Sequence, residues 1–408
     1  MKTSKKLLAG LMFSSLAAVS TSAIGAGFQL TEQSVVSMAR SHAGAGIVGD
    51  DVSAVWYNPA GMTLLPGTQL QLSSTIVDLD IEYKGLNGAK ENGRDKPAAI
   101  PAFFVSHQLT DNLWAGLAIT SPYGMKIRYG SNWAERERGI SGSIITVDIN
   151  PNIAWKATEW LSIGGGVSAM YTHSKLKSGG PLRSEFEYKG SDWMFTYNAG
   201  IMLSPLETLR FGVSYRSAAH VHAKGDYTMR LGRTSFTNYG YGDLTTPETV
   251  MLTATWETTP WLRLSALARW ANWKNFKDMR FYVADKTGIF RDPKLSSQTI
   301  LNNWKSVWLM SLGADVKIND QWTIHGGVAL ETDPIHDQTL RTALIPDTKR
   351  LWLTCGVSWA PTKNWQIDAA YGHIRGIGHR KLYNDNTEVG KFEKMNAWMC
   401  GLQVQYKF

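Results

Sequence analysis

The sequence predicts an all-β protein: a 14-stranded antiparallel transmembrane β-barrel plugged by a small, partly helical N-terminal hatch. Three observations lead there. Side-chain character alternates with a period of two along the C-terminal segments. Short polar turns and longer polar loops alternate along the chain. Trp and Tyr, which gather at membrane interfaces, number 17 and 15, yet no apolar run beyond the N-terminal leader is long enough to cross a membrane as a helix. A barrel wall needs apolar residues only at alternate positions, so a mean hydropathy of −0.21 fits it.

The elements follow in order. Residues 1–25 read as a secretory signal: Lys2, Lys5 and Lys6 precede the apolar run Leu7 to Val19, and Ala23-Ile24-Gly25 supplies small residues for cleavage. Its three lysines and lack of acids take the net charge from +8 to 8 − 3 = +5 in the mature chain. That excess is scattered and gives no sign of a nucleic-acid partner. Residues 26–67 form the hatch. Thr31 to Ser41 has helical character, and a Gly-rich bend (Ala43 to Gly46) follows. Asp50 or Asp51 is expected to cap a second short helix through Val52, Val55 and Trp56, which Asn58-Pro59 stops, since a residue before proline is pushed out of the α region. A soluble cap or linker is the competing reading of this segment.

Residues 68–408 form the barrel. Six tight turns punctuate it: Thr110-Asp111-Asn112, Thr158-Glu159, Pro205-Leu206-Glu207, Thr259-Pro260, Asn319-Asp320 and Pro361 to Asn364. Seven longer loops alternate with them, at 85–96, 122–140, 178–190, 226–246, 277–300, 333–348 and 378–393. Six turns and seven loops separate fourteen strands, with both termini on the short-turn side. The last strand shows the alternation most clearly. Trp398, Cys400, Leu402, Val404, Tyr406 and Phe408 share one face, and Met399, Gly401, Gln403, Gln405 and Lys407 the other. Cys355 and Cys400 fall on strands 12 and 14, roughly 9.6 Å apart at about 4.8 Å per strand, too far for a disulfide.

Particular motifs resemble the FadL family of outer-membrane hydrophobe transporters. They are AGFQL at the hatch start, Asn58-Pro59-Ala60-Gly61 at its end, and Gly116, Ile119-Thr120-Ser121 and Tyr123-Gly124 along the third strand. Asn319 to Thr323, Gly326-Gly327-Val328, and Ile345-Pro346-Asp347 with Arg350 continue the likeness, and the terminal aromatic matches the signal read by the barrel assembly machinery. The resemblance implies passive transport of hydrophobic molecules, most of all long-chain fatty acids, by a monomer in the outer membrane of a Gram-negative bacterium. A hydrocarbon channel of the same family, for alkanes or aromatics, is the alternative. Phe28, Asn58, Pro59, Ala60, Gly61 and Gly116 are then the hatch and gate residues, with the Asn58 motif set against a kinked third strand where the wall opens sideways. Lys177, Arg341, Asp347 and Arg350 are the candidate ligand residues, an arginine fork suiting a carboxylate. A structural salt bridge of Asp347 with Arg350 or Arg341 is the competing reading. The wider basic set is Lys175, Lys177, Arg183, Lys294 and Lys305. Tyr129, Trp133, Arg136 and Arg138 in the loop 122–140 suit either a collecting surface for hydrophobes or contact with lipopolysaccharide phosphates.

Enzyme chemistry finds no support. His173 and Ser174 are adjacent on a strand and so point to opposite faces. His325 reads as a packed lumen residue, and no GxSxG, HExxH, P-loop, dinucleotide or cysteine–histidine metal pattern occurs. No cofactor or metal is expected. A general porin and an outer-membrane lipid hydrolase are the rival functions, disfavoured by the hatch and by the missing outward Ser/His pair.

Overall fold

A computed structural model describes residues 27–93, 95–180, 183–384 and 386–408. The signal-peptide reading of residues 1–25 lies outside these. The fourteen wall strands are β1 (Thr68–Gly85), β2 (Ala98–Thr110), β3 (Leu113–Thr120), β4 (Ser141–Lys156), β5 (Leu161–Gly179), β6 (Glu185–Leu206), β7 (Leu209–Arg216), β8 (Thr249–Thr259), β9 (Leu262–Ala271), β10 (Val307–Lys317), β11 (Trp322–Glu331), β12 (Arg350–Trp359), β13 (Trp365–Gly376) and β14 (Thr387–Lys407). Each pairs antiparallel with the next. β1 pairs with β14 from Gln69↔Lys407 to Gly85↔Gly390, which closes the barrel. Closure pairs each wall strand on both sides, so the backbone polar groups of the wall satisfy one another without water except where the β2–β3 ladder stops at Phe103↔Ile119.

The six short turns fall where the sequence places them. The long loops are less irregular than expected. β5 and β6 run on until only residues 180–184 connect them, and 226–246 belongs to a hairpin of His220–Leu231 with Thr234–Thr245. Five more short strands lie on this side, at Lys90–Asn92, Gly124–Arg128, Asp278–Val283, Ser297–Leu301 and Lys381–Asn384. The misreading has a simple cause. Val221, Ala223, Tyr227 and Met229 do alternate with exposed His220, His222, Lys224 and Arg230, but Gly225-Asp226 interrupts the pattern and Thr234–Thr245 is mostly polar and glycine, so the segment reads as a loop while the backbone ladder continues.

Alternation within the band holds. Trp398, Cys400, Leu402 and Phe408 are exposed, whereas Met399, Gln403 and Gln405 are buried. Cys355 and Cys400 are both free and stand either side of Tyr371 on β13. Trp160, Trp261, Trp322 and Trp365 project outward at the short-turn end as an aromatic girdle.

The N-terminal segment is buried almost throughout and bonds to strands around the whole circumference, which places it within the barrel. Val35 N donates to Gln403 of β14 (2.9 Å) and Val52 N to Gln71 of β1 (2.6 Å). Thr354 of β12 donates to Ala39 O (3.0 Å), and Arg40 pairs with Asp315 of β10 (3.1 Å). Its helices are shorter than expected. The first is Val35–Ala39, capped by Ser34. The second is Ala54–Tyr57, and neither Asp50 nor Asp51 caps it. Asp51 accepts from the Ser34 and Ser53 hydroxyls, and Asp50 pairs with Arg40 at 2.5 Å, so both carboxylates serve tertiary contacts instead. Asn58 ends the second helix in extended geometry, and its side chain caps the 3-10 turn Pro59–Leu64 through Ala60 N.

Candidate lumen site

β3 is broken at Ser121-Pro122-Tyr123 before the wall resumes at Gly124–Arg128. The outer piece pairs with β4, whereas among the described residues the β2–β3 ladder stops at Phe103↔Ile119. Pro101 and Pro122 stand near this discontinuity and carry no N–H to donate. The first residues of the N-terminal segment take up the freed edge. Leu30 N donates to Pro122 O and Gly124 N to Phe28 O, both at 2.8 Å, around an antiparallel bridge of Gln29 with Tyr123. Gln33 adds a two-way contact with the Ser121 backbone, at 2.8 and 3.2 Å.

Phe28 turns from this edge into an aromatic cage, 1% exposed. Its ring meets Trp273 at 5.2 Å, Phe276 at 5.5 Å and Tyr123 at 5.9 Å, and Trp304 closes the far side against Trp273 and Phe276. Gly27 stands at φ +67°, and an added Cβ there would fall 2.5 Å from the Trp304 ring, so the residue ahead of Phe28 has to be glycine. The Gly27 N–H donates to the Asp347 carboxylate. From Asp347 a buried line of alternating charge runs along the inner wall from β12 to β9: Asp347 to Arg350 at 2.7 Å, Arg350 to Glu331 at 3.2 Å, Glu331 to Arg269 at 3.1 Å. Burial pushes the Asp347 carboxyl up to about 7, against the opposing pull of Arg350 and the Gly27 N–H.

Beside Phe28's strand lies a cavity of about 40 Å³, lined among others by Tyr123, Met251, Leu267, Leu309, Arg216 and Arg269. Arg216 pairs with Asp148 at 3.5 Å and lies over the Trp56 ring at 4.9 Å. Arg269 is 5% exposed, and its Nε and Nη1 have no hydrogen-bond partner among the described residues. The cavity is only about water-sized as it stands, and beside it the buried Arg269 guanidinium keeps donors on two nitrogens, Nε and Nη1, for an acidic group.

The structure separates the residues that the sequence groups together. Against β3 it is Met62 and Val55 that meet Gly116, while Asn58 and Pro59 make their close contacts elsewhere. They press on β5, β6 and β7, where Asn58 donates to Ile201 O (3.1 Å) and Val213 O (3.5 Å). Three wall glycines make that approach possible: a Cβ on Gly164 would lie 2.6 Å from Ala60 N, and one on Gly200 or Gly212 would lie 2.1 or 2.9 Å from the Asn58 amide group. A Cβ on Gly61 would lie 1.8 Å from Gly46 O within the segment itself, and one on Gly116 of β3 would meet Met62 and Val55. Asp347 and Arg350 form the anticipated pair and join Phe28's anchor. Arg341 bonds to Lys381 O (3.1 Å) and Gln338 in the loop region and does not line the cavity.

Lys177 departs furthest. Along β5 the even residues are buried and the odd ones face out, so Lys177 lies on the outer wall, paired with Glu185 at 2.7 Å. Lys175 shares that face, and Lys294 and Lys305 are exposed in connections. Tyr129 and Trp133 stack at 4.3 Å and are buried, so the loop 122–140 turns its aromatics inward. His325 is packed as expected, bonded to Asp315 and Ser358 at 2.7 Å each. The sequence reading missed Arg216 and Arg269. The signal for Arg269 was present: Ser265, Leu267, Arg269 and Ala271 share the lumen parity of β9.

Comparison with known proteins places this architecture. The family model described as "Outer membrane protein transport protein (OMPP1/FadL/TodX)" matches residues 16–408. The chain is 25% identical over 443 residues to the long-chain fatty acid transport protein of Escherichia coli O6:H1, covering 96% of this chain and 97% of that one. The crystal structure of a Pseudomonas aeruginosa FadL homologue superposes with a TM-score of 0.82 at 21% identity, covering 94% and 100% of the two chains. The Pseudomonas putida toluene transporter TodX superposes at 0.74 with 16% identity, covering 95% and 99%.

Proposed function

The chain belongs to the OMPP1/FadL/TodX family of outer-membrane transport proteins, and from that premise we propose that its cargo is hydrophobic carboxylic acids, long-chain fatty acids foremost. The observation that carries this reading is Arg269, a buried guanidinium beside a small, mostly apolar cavity, with its Nε and Nη1 left over from the Nη2 pair with Glu331. A carboxylate can accept a charge-assisted hydrogen bond from Nη1, a contact that a neutral hydrocarbon cannot make. The long-chain fatty acid transport of the E. coli relative, printed in its name, points the same way.

The proposed path begins at the long loops, which lie outside the cell. The acyl chain moves into the lumen because burial is worth about 25 cal/mol per Å² of apolar surface. It competes with Phe28 for the cage of Trp273, Phe276 and Trp304, and displacing Phe28 frees residues 28–30 from the broken edge of β3. The interrupted β2–β3 ladder is then the sideways exit, and the N-terminal segment acts as the hatch. Asn58 and Pro59 fix the far end of the hatch on β5 to β7, so motion is confined to its start. The chain is a transporter, not an enzyme, and the route uses no energy source beyond the gradient.

A second reading, uptake of neutral aromatic hydrocarbons, draws on the same aromatic cage. Arg269→Met and Arg269→Lys separate the two. Arg269→Met should weaken binding of a long-chain fatty acid about tenfold or more, since one charged hydrogen bond is worth about 1.5–3 kcal/mol. Arg269→Lys should restore part of it, and toluene binding should not change. Equal loss for acid and hydrocarbon would refute the acid reading.

A further inference from the structure

The outer wall carries a cationic array that the transport path does not use. Outward positions of Gly124–Arg128, β4 and β5 stand in register in two rows, Lys126–Ser143–Lys175 and Arg128–Ser141–Lys177. Cations thus flank a pair of serines on both sides, with the flanking strands about 9.6 Å apart at about 4.8 Å per strand. The notch between them opens into a groove of about 730 Å³ that Lys189 and Arg230 extend. Six cations line that groove with two carboxylates, Asp95 and Glu187, and a third just outside the lining, Glu185, pairs with Lys177 at 2.7 Å, which leaves the cations in excess by three. Asp95 lies 3.7 Å from Lys126 and 3.6 Å from Arg128, too far for tight hydrogen bonds, so both cations keep donors available. Glu187 is shared by Lys175, Lys189 and Arg230 at 3.3, 2.8 and 3.2 Å, which leaves that cluster net positive.

Height on the wall indicates what faces the array. Tyr171 and Trp193 are paired across β5 and β6, outward-facing, with their rings 5.3 Å apart. Below them the outward face is apolar, with Val167, Phe195 and Ile163 exposed. The lysine rows begin four residues further out, about 13 Å at 3.3 Å per residue. An aromatic row marks the membrane interface. The array therefore sits where the headgroups of the outer leaflet meet the wall.

We propose that this array is a binding site for the phosphate groups of a diphosphorylated outer-leaflet glycolipid. The paired cations take the phosphate oxygens, and the Ser141 and Ser143 hydroxyls donate from the floor of the notch. This site is independent of the cargo assignment, since its residues point away from the lumen.

Binding to purified protein in detergent tests it, with three probes: a diphosphoryl lipid A, the same lipid stripped of both phosphates, and inorganic pyrophosphate. The variants are Ser143→Asp, which puts a negative charge in the notch, and the combined Lys126→Ala/Arg128→Ala/Lys175→Ala/Lys177→Ala. Wild type should hold the diphosphoryl lipid at least tenfold more tightly than the stripped one, and both variants should lose that preference. Lys294→Ala/Lys305→Ala, exposed cations elsewhere, should keep it. If the fourfold variant does not assemble, Ser143→Asp alone decides. Equal binding of the two lipids, or an unchanged preference in Ser143→Asp, would overturn the proposal. Displacement of the lipid by pyrophosphate at equal concentration would also overturn it, as the mark of a site for free phosphate.

Discussion

Replacing Phe28 by alanine removes the anchor that holds the start of the N-terminal segment against β3. The ring is 1% exposed and makes three aromatic contacts within 6 Å. Truncating a buried phenylalanine costs about 3–5 kcal/mol. The docked strand also loses its edge-to-face ring contacts, already counted in that figure, while the lumen lets water soften the vacancy, so the lower end, about 3 kcal/mol, applies. At about 1.4 kcal/mol per decade the undocked population rises roughly 100-fold. Hydrogen exchange reads this directly. Among the described residues the Gly27, Leu30 and Gly124 amides are held by Asp347, Pro122 and Phe28, so their protection should fall by about that factor. Amides of β1, held by β2 and β14, should not change. Wild-type protection at the three amides in Phe28→Ala would refute Phe28 as the anchor. Loss of β1 protection would mean that the wall depends on the segment.

Two further outcomes follow from the same geometry. Deleting residues 26–62 should leave a folded, heat-modifiable barrel, because β1 and β14 close the ladder without it, and should raise ion conductance; unchanged conductance would mean that the segment does not occlude the lumen. Asp347 has its carboxyl raised from 3.8 to about 7, so between about pH 4 and 7 the native chain holds a proton that the unfolded chain has released, and this contribution to stability is full below about pH 4 and lost as pH rises to about 7. Over that window the wild type should lose thermal midpoint relative to Asp347→Asn; parallel curves would refute the assignment.

The wall was legible in the sequence because membrane burial imposes strict alternation. Trp398 to Phe408 had to share one face, and the six short turns had to be polar and tight. The strand extensions at 226–246 were hard to read: Val221, Ala223, Tyr227 and Met229 keep the alternation on the first strand of the hairpin, but Gly225-Asp226 and the polar, glycine-containing Thr234–Thr245 obscure it. At the site, the Asp347–Arg350 pair could be anticipated from charges three residues apart. The placement of Asn58 on β6 and β7 could not, because it depends on Gly164, Gly200 and Gly212 aligning on three strands. Lys177 was misassigned although the parity rule already decided it: counting by twos from the buried Ser168 puts residue 177 outside. The same count along β9 would have found Arg269.

Transport by this route requires the start of the N-terminal segment to leave β3, and a reversible lock tests that. Gln29 and Tyr123 are opposed in a bridge whose flanking residues make the hydrogen bonds. Such a pair has a Cα separation of about 4.5 Å, within reach of a disulfide. The variant Gln29→Cys/Tyr123→Cys, made with Cys355→Ser and Cys400→Ser to remove the free thiols, should take up labelled fatty acid when reduced and lose uptake when oxidised. Full uptake by the oxidised, cross-linked protein would contradict the account.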